Sequence, residues 1–366
     1  MAFTADEIAN INNSTLETYI DKGKVWKQDV ANKPMLEAFN NKAGKFVGGK
    51  ENVSFAVGSA YEPGWGLTGY SGDDQLSHIN PTGTKRARFP WKEHYMGMVV
   101  TMTELKTDGI DVIENGTDQT TREMPGREAQ ALANLLDEKN DKMGESYTFS
   151  LDRLVHGDGT SDAKAIAGIQ SLILPVPDVG STGGISRVAN TWWRNDARTA
   201  AYATSSGVPA NGAITPNIAN GGALITAMDT ADRRRRKYQN GSTNFMRFAG
   251  SDFIDAYKME LRANGNYTLN GWGAGRGTPD GSMKDPSHDG TPFIWDPTLD
   301  DLGLSKRCYV IDMGRTGLRL LYMDGQRMKK HNPARPYDRM VMYNGISMTG
   351  VLVAKQLNTS GVYDIV

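Results

Sequence analysis

Two β-rich limbs enclosing a polar, glycine-rich tip, all within residues 45–106, constrain the fold of this chain more than any other stretch. The rising limb is KFVGGKENVSFAVG and the falling limb TKRARFPWKEHYMGMVVTMTEL, both rich in the β-branched and aromatic residues that favour strands. Between them lies SAYEPGWGLTGYSGDDQLSHINPTG. Limbs of roughly 15–20 residues, at about 3.3 Å per residue, predict an arm of about 50–65 Å. A two-stranded ribbon of that length is not stable alone in water. The rest of the chain offers only one domain's worth of core to cover it. The pattern is that of a protein that assembles, with its arms lying on neighbouring copies.

Composition narrows the classes. The formal net charge of −1 over 366 residues argues against a dedicated nucleic-acid coat, which needs a basic face to neutralise phosphate. It leaves open a container for nucleic acid. The single cysteine, Cys308, excludes an internal disulfide and fits a protein made in a reducing cytoplasm. The opening residues MAFTADEIAN lack the basic and apolar regions of a signal peptide, and no run of 18 apolar residues predicts a membrane span. Seven Trp and fourteen Tyr supply the large side chains favoured at interface hot spots.

Along the chain, Thr4 and Glu7 form a capping box ahead of Ile8, Ile11, Leu16 and Ile20 at helical spacing. A second short helix starts at Pro34 and carries Met35, Leu36 and Phe39. After a polar connector over 107–121, the longest helix runs from Gly126 to His156. Leu132, Leu135, Leu136, Met143, Tyr147, Leu151, Leu154 and Val155 make one apolar stripe, and Gly157 and Gly159 end it. Its 31 residues correspond to about 46 Å. A further helix is expected over 217–237, with Arg233–Arg236 in its last turn. The strand FMRF (245–248) leads into a helix opened by Ser251 and Asp252. The C-terminal part returns to β, with CYVIDM (308–313) and LRLLYM (318–323) flanking Gly314-Arg315-Thr316-Gly317. RMVMY (339–343) and ISMTGVLVAKQL (346–357) are expected to form a hairpin across Asn344-Gly345, because a type I′ turn needs positive φ at both central residues. These last strands are expected to pack on the long helix.

No constellation specific to catalysis stands out. His78, His94, His156, His288 and His331 are scattered, without metal-ligand spacing. Asp285-Pro-Ser-His288-Asp289 reads as a polar loop before it reads as a metal site. GWGAGRG (271–277) lacks the Lys-Ser/Thr of a phosphate loop. Cys308 heads an apolar strand and reads as a core thiol, not a nucleophile. No catalytic, cofactor-binding or metal residue is assigned and no cofactor is expected. Arg233–Arg236 can touch nucleic acid or a partner's acids, or simply be a solvated helix end. Trp65 and Tyr70 in the polar tip point to contact with another subunit, whereas Trp192 and Trp193 fit local core as well as a contact.

The order of parts is a helical arm, a long β-hairpin, a long helix, a mixed insert and a C-terminal β-segment. Together with RARFPWKEHYMGMVVTMTEL, GGISRVANTWWRN (183–195) and HDGTPFIWD (288–296), it resembles the major capsid protein of tailed bacteriophages, with the Hong Kong 97-type fold. The resemblance covers essentially the whole chain. It implies an α+β fold with an N-arm over 1–44, an extended E-loop over 45–105, a P-domain over 106–165 and 305–366 containing the spine helix, and a mixed α/β A-domain over 166–304. It implies a non-enzymatic, self-assembling subunit forming pentamers and hexamers in an icosahedral virion head around double-stranded DNA, assembled in the bacterial host cytoplasm. Lys50, Trp65, Tyr70, Arg86, Arg88 and Trp91 are placed at inter-subunit contacts. Further partners are a separately encoded scaffolding protein, a portal and a decoration protein, with no membrane. A start at Met1 is taken to mean that no N-terminal segment is removed, and Lys45, Lys50 and Lys85 are not assigned to a covalent crosslink. An encapsulin-type compartment shares this fold. A carbohydrate-active enzyme or sugar-binding module is the alternative from another class, which would need paired carboxylates in a cleft.

Overall fold

The computed structural model describes residues 31–366 except 48–50, 60–65, 77, 79, 81–82, 102, 104–125, 218–221, 264–285 and 332–340, with the course of the backbone only at 126–138, 140, 330 and 342. The capped helix expected near Thr4, the 107–121 connector and GWGAGRG lie outside the described residues.

The spine helix spans Gly126–His156, as its apolar period predicts. Met143, Leu151 and Val155 of its stripe are buried, while the side chains of Leu132, Leu135 and Leu136 fall outside the described set. The short helix Pro34–Asn41 begins at its proline and buries Met35, Leu36 and Phe39. Two sheets complete the body. In the first, the long strand Val341–Ala354 pairs with Lys92–Thr101, and successive lengths of it pair with Leu318–Met323 and Lys329–His331. Gly44–Phe46 adds in parallel to Leu318–Met323. In the second, the order is Asp196–Arg198, Gly361–Asp364, Arg307–Asp312, Phe245–Ala249, Thr291–Trp295 and Ser287–His288. This sheet takes strands from both sides of position 305, so the domain border expected there runs through one hydrogen-bonded layer.

Arg307–Asp312 shows why an unbroken apolar run makes a central strand. Successive side chains point to opposite faces. Tyr309 and Ile311 join a core with the spine helix and the first sheet, whereas Cys308 and Val310 join a second core. That second core lies under the helices Ala223–Arg236 and Ser251–Ala263, which contribute Leu224, Met228, Phe253 and Tyr257. Burial pushes the Cys308 thiol up to about 12, as a core thiol requires.

The hairpin expected at Asn344-Gly345 does not form. Val341–Ala354 is one continuous strand of 14 residues, with Asn344 opposite Met98 and Gly345 opposite Gly97. The glycine answers a different demand. The Tyr95 ring lies over both facing glycines, and a Cβ built on Gly345 would sit 2.3 Å from Tyr95 Oη. An available ten-residue partner strand overrode a local turn signal. We therefore expect Gly345→Ala to displace the exposed Tyr95 ring and change unfolding stability by less than about 1 kcal/mol, since no left-handed backbone is involved. Chemical denaturation of the variant checks this, and a loss of several kcal/mol would mean the position is a turn after all.

The strand Val341–Ala354 packs on the spine helix as expected: Tyr147 Oη donates to Met348 Sδ at 2.9 Å. The helix expected over 217–237 is Ala223–Arg236. Its first turn is capped from a distance by the fully buried Glu260. The carboxylate accepts the amides of Asn217 and Leu224 at 2.9 Å each and of Ile225 at 3.0 Å.

Candidate functional site

The candidate assembly surface starts from the β-ribbon. Asn52–Gly58 pairs with Thr84–Pro90 in seven rungs, from Asn52↔Pro90 to Gly58↔Thr84. Seven residues give about 23 Å, well short of the 50–65 Å read from the limbs. The difference lies at the base, where Gly44–Phe46 and Lys92–Thr101 belong to the body sheet. The ribbon is also less bare than its sequence implied. Alternation sends Val53, Val57, Ala87 and Phe89 into the main core. The small hairpin Ser181–Thr182/Ile185–Ser186 meets its edge, where Gly183 O accepts the Arg88 amide at 2.9 Å. Gly183 has φ 60°, and a Cβ there would lie 3.1 Å from both Ala87 Cβ and Phe89 Cζ. Only glycine allows that approach without strain.

Beneath this joint lies the segment GGISRVANTWWRN. Trp193 is buried, donates from Nε1 to Thr182 O at 3.0 Å and meets Trp192 edge-on at 5.9 Å, so the Trp pair is local core. Sequence reasoning missed Arg187. It is fully buried and donates to Thr182 Oγ1 at 2.9 Å, Asn195 Oδ1 at 2.6 Å and Leu172 O at 2.5 Å. Burial, with Arg194 adding repulsion, pulls its guanidinium down to about 10. Three neutral acceptors on separate segments hold this cation in place of a carboxylate. Nothing in the periodicity marks such a role.

Arg86 and Arg88 are exposed on the ribbon's outer face, opposite the small residues Ala56 and Ser54. Neither has an ion-pair partner among the described residues. In the tip, Leu67 is fully exposed, and Tyr70 and Leu76 are 70% and 57% exposed. Trp91 is half-buried and packs on Phe46, with ring centroids 5.9 Å apart. Lys50 and Trp65 lie outside the described residues. Ribbon and tip thus present cations and large apolar groups outward on a base fixed to the core.

A second cluster forms around Arg233–Arg236, where Arg233, Arg234 and Arg236 are exposed in the last helical turn and Arg235 alone departs from a solvated helix end. Arg235 is fully buried, ion-paired with Asp232 and bonded to Tyr363 Oη, whose hydroxyl donates to Asp196 Oδ2 at 2.7 Å. Arg247 Nη2 meets Asp232 Oδ2 at 2.5 Å. Arg234 reaches Asp196 at 3.6 Å, and Arg236 pairs with Asp289. His288, expected in a polar loop, is instead a buried strand residue whose Nδ1 meets Tyr257 Oη at 2.8 Å. Burial lowers its pKa against the pull of Asp232. The cluster floors an open cleft of about 390 Å³, lined in part by Asp229, Arg233, Tyr257 and His288. Among the described residues no group of three His, Cys, Asp or Glu can hold a metal ion, and no helix is long and apolar enough to cross a membrane.

Comparison with protein-family models and with curated proteins finds no match. Solved structures do match. The capsid asymmetric unit of cyanophage A-1(L) is similar at 15% identity over 94% of this chain and 97% of that one, with a TM-score of 0.58. A Mycobacterium phage Bobi structure is similar at 13% identity over 96% and 97%, with a TM-score of 0.49. An encapsulin complex from Synechococcus elongatus is similar at 11% identity over 95% and 94%, with a TM-score of 0.41. With the short helix Pro34–Asn41, a ribbon rooted in the body sheet, a 31-residue spine helix and a six-stranded mixed sheet, the chain has the α+β Hong Kong 97-type capsid fold.

Proposed function

We propose that this chain is a major capsid protein, the self-assembling structural subunit of an icosahedral head that encloses double-stranded phage DNA. The observation that carries this reading is the likeness, over nearly the full length of both chains, to the cyanophage A-1(L) capsid unit. The ribbon supports it, because its tip directs large apolar side chains away from its own subunit. Head-to-tail contacts whose rotation closes give rings of five and six, and a shell repeats each modest contact many times. On this reading residues 1–44 are the N-arm, 45–105 the E-loop, 106–165 with 305–366 the P-domain, and 166–304 the A-domain, which shares its sheet with strands 307–312 and 361–364. Lys50, Trp65, Tyr70, Arg86, Arg88 and Trp91 lie at contacts between subunits. The role is structural, not catalytic. Near-neutral net charge suits a wall that surrounds DNA without gripping it. A separate scaffolding protein, a portal and a decoration protein complete the partners, and assembly takes place in the bacterial host cytoplasm before the subunit resides in the virion.

Negative-stain electron microscopy and sedimentation of the protein, co-expressed with the genes that neighbour its own, test this. Closed shells tens of nanometres across are expected. Shells filled with a protein cargo and no DNA would replace the phage-head reading with an encapsulin-type compartment. Compact monomers or dimers only, with every neighbour present, would overturn shell formation itself.

A further inference from the structure

His156, the last residue of the spine helix, is buried between acceptors on both of its ring nitrogens. Nδ1 lies 2.8 Å from the carbonyl oxygen of Asp152, and Nε2 lies 2.9 Å from Asp296 Oδ2. A neutral imidazole has one N–H and would turn a lone pair towards one of these oxygens. The Asp152 carbonyl can only accept, and so can Asp296 as a carboxylate, so with Asp296 ionised the two short contacts call for the doubly protonated ring. The surroundings agree. The Asp152 carboxylate, on the same helix, has Oδ1 at 3.5 Å from Nδ1 and accepts the Thr298 hydroxyl at Oδ2, 2.5 Å away. Asp296 also caps the turn Pro297–Asp301 through the Thr298 amide at 3.1 Å. Lys33, preceding the helix Pro34–Asn41, adds an attractive charge facing Asp152. The short helix Ile169–Leu172 contributes only the neutral Gln170, which donates to His156 O at 3.0 Å.

We propose that His156 is a proton-held latch: as an imidazolium it clamps the C-terminal end of the spine helix to Asp296 and the turn that follows, and its deprotonation releases the clamp. Without the cation, the carboxylates of Asp152 and Asp296 lose the positive charge between them, and the ring can donate to only one of its two partners, the Asp152 carbonyl or the Asp296 carboxylate. Burial alone disfavours the imidazolium, but the hydrogen bond to Asp296 and the charges of Asp296 and Asp152 outweigh it and raise the His156 pKa. Asp152 is raised too, by burial first and by the Asp296 charge. Both shifts have the same sign. The closed joint binds protons more tightly than the open one, so the latch holds fully below the ordinary histidine value and weakens as pH rises through the raised one. The latch belongs to the subunit and operates whether or not shells form.

The test is histidine C2-hydrogen exchange, read by mass spectrometry on the full-length protein across pH, combined with amide exchange over 152–156 and 296–299. His156 is expected to titrate above about 6.5 and above His94 and His288, both of which burial lowers. Corrected for the chemistry of base-catalysed exchange, the amide rates should rise by about tenfold per pH unit from about 6.5 to the His156 midpoint, then level off. Asp296→Asn, which keeps an oxygen for the Thr298 amide, should lower the His156 midpoint and flatten that rise. A wild-type midpoint at or below the ordinary value, or amide rates indifferent to pH, would overturn the latch. So would a midpoint that Asp296→Asn leaves in place.

Discussion

Replacing residues 59–83 with a short Gly-Ser linker should leave a folded, soluble subunit that makes no closed shells. The subunit survives because the ribbon is held from below, by Val53, Val57, Ala87 and Phe89 in the main core and by the Gly183 contact to Arg88. Assembly fails because the removed tip carries Leu67, Tyr70 and Leu76, which stand in water in the isolated chain. Burying each such leucine against a neighbour contributes about 1.5–3 kcal/mol. Every copy in a shell forfeits that contribution at once, so a modest loss per contact becomes a collective failure. Circular dichroism with thermal melting should show an unchanged subunit, while sedimentation and electron microscopy should show no particles. Normal heads from this variant would remove the tip from any account of assembly.

The second large effect is expected at Glu260. Among the described residues its carboxylate accepts the amides of Leu224 and Ile225 at the start of the helix Ala223–Arg236, and it also holds the Asn217 amide. Glu260→Ala should cost about 3–5 kcal/mol, since it strands buried donors and removes an anion from a helix N-terminus. Glu260→Gln should recover only part of this, because its amide nitrogen sets a donor against a donor. Urea unfolding and amide exchange over 223–228 measure both effects. A loss below about 1 kcal/mol for the alanine variant would show that water or another group replaces the carboxylate.

What the sequence revealed depended on range. The spine helix was legible because 3.6-residue periodicity is written in consecutive residues. The strand Arg307–Asp312 was legible from its apolar run because burial on both faces leaves no polar alternation. The errors came from partners distant in sequence. Asn344-Gly345 resembled a turn because Tyr95, the ring over Gly345, lies about 250 positions upstream. The arm was overestimated because the strand propensity of both limbs was plain, while the body strands Leu318–Met323 and Val341–Ala354 that claim parts of them were not. The ion pairs of Arg234 and Arg236 were not legible because their counter-charges Asp196 and Asp289 lie elsewhere in the chain. His156 passed as one of five scattered histidines, since the carboxylate that fixes its second nitrogen lies 140 residues away. The contact residues of the tip were legible only as large side chains with no local use.

The strand Arg307–Asp312 carries one more consequence. Its side chains alternate between two cores, so it cannot leave one without abandoning the other. Its Cys308 is the only thiol in the chain, with no exposure and a thiolate suppressed by burial. The protein therefore carries a built-in reporter. Under native conditions an alkylating reagent reaches sulfur only when the common wall of both cores gives way, so the labelling rate counts openings of the whole subunit, free or assembled, without any introduced probe.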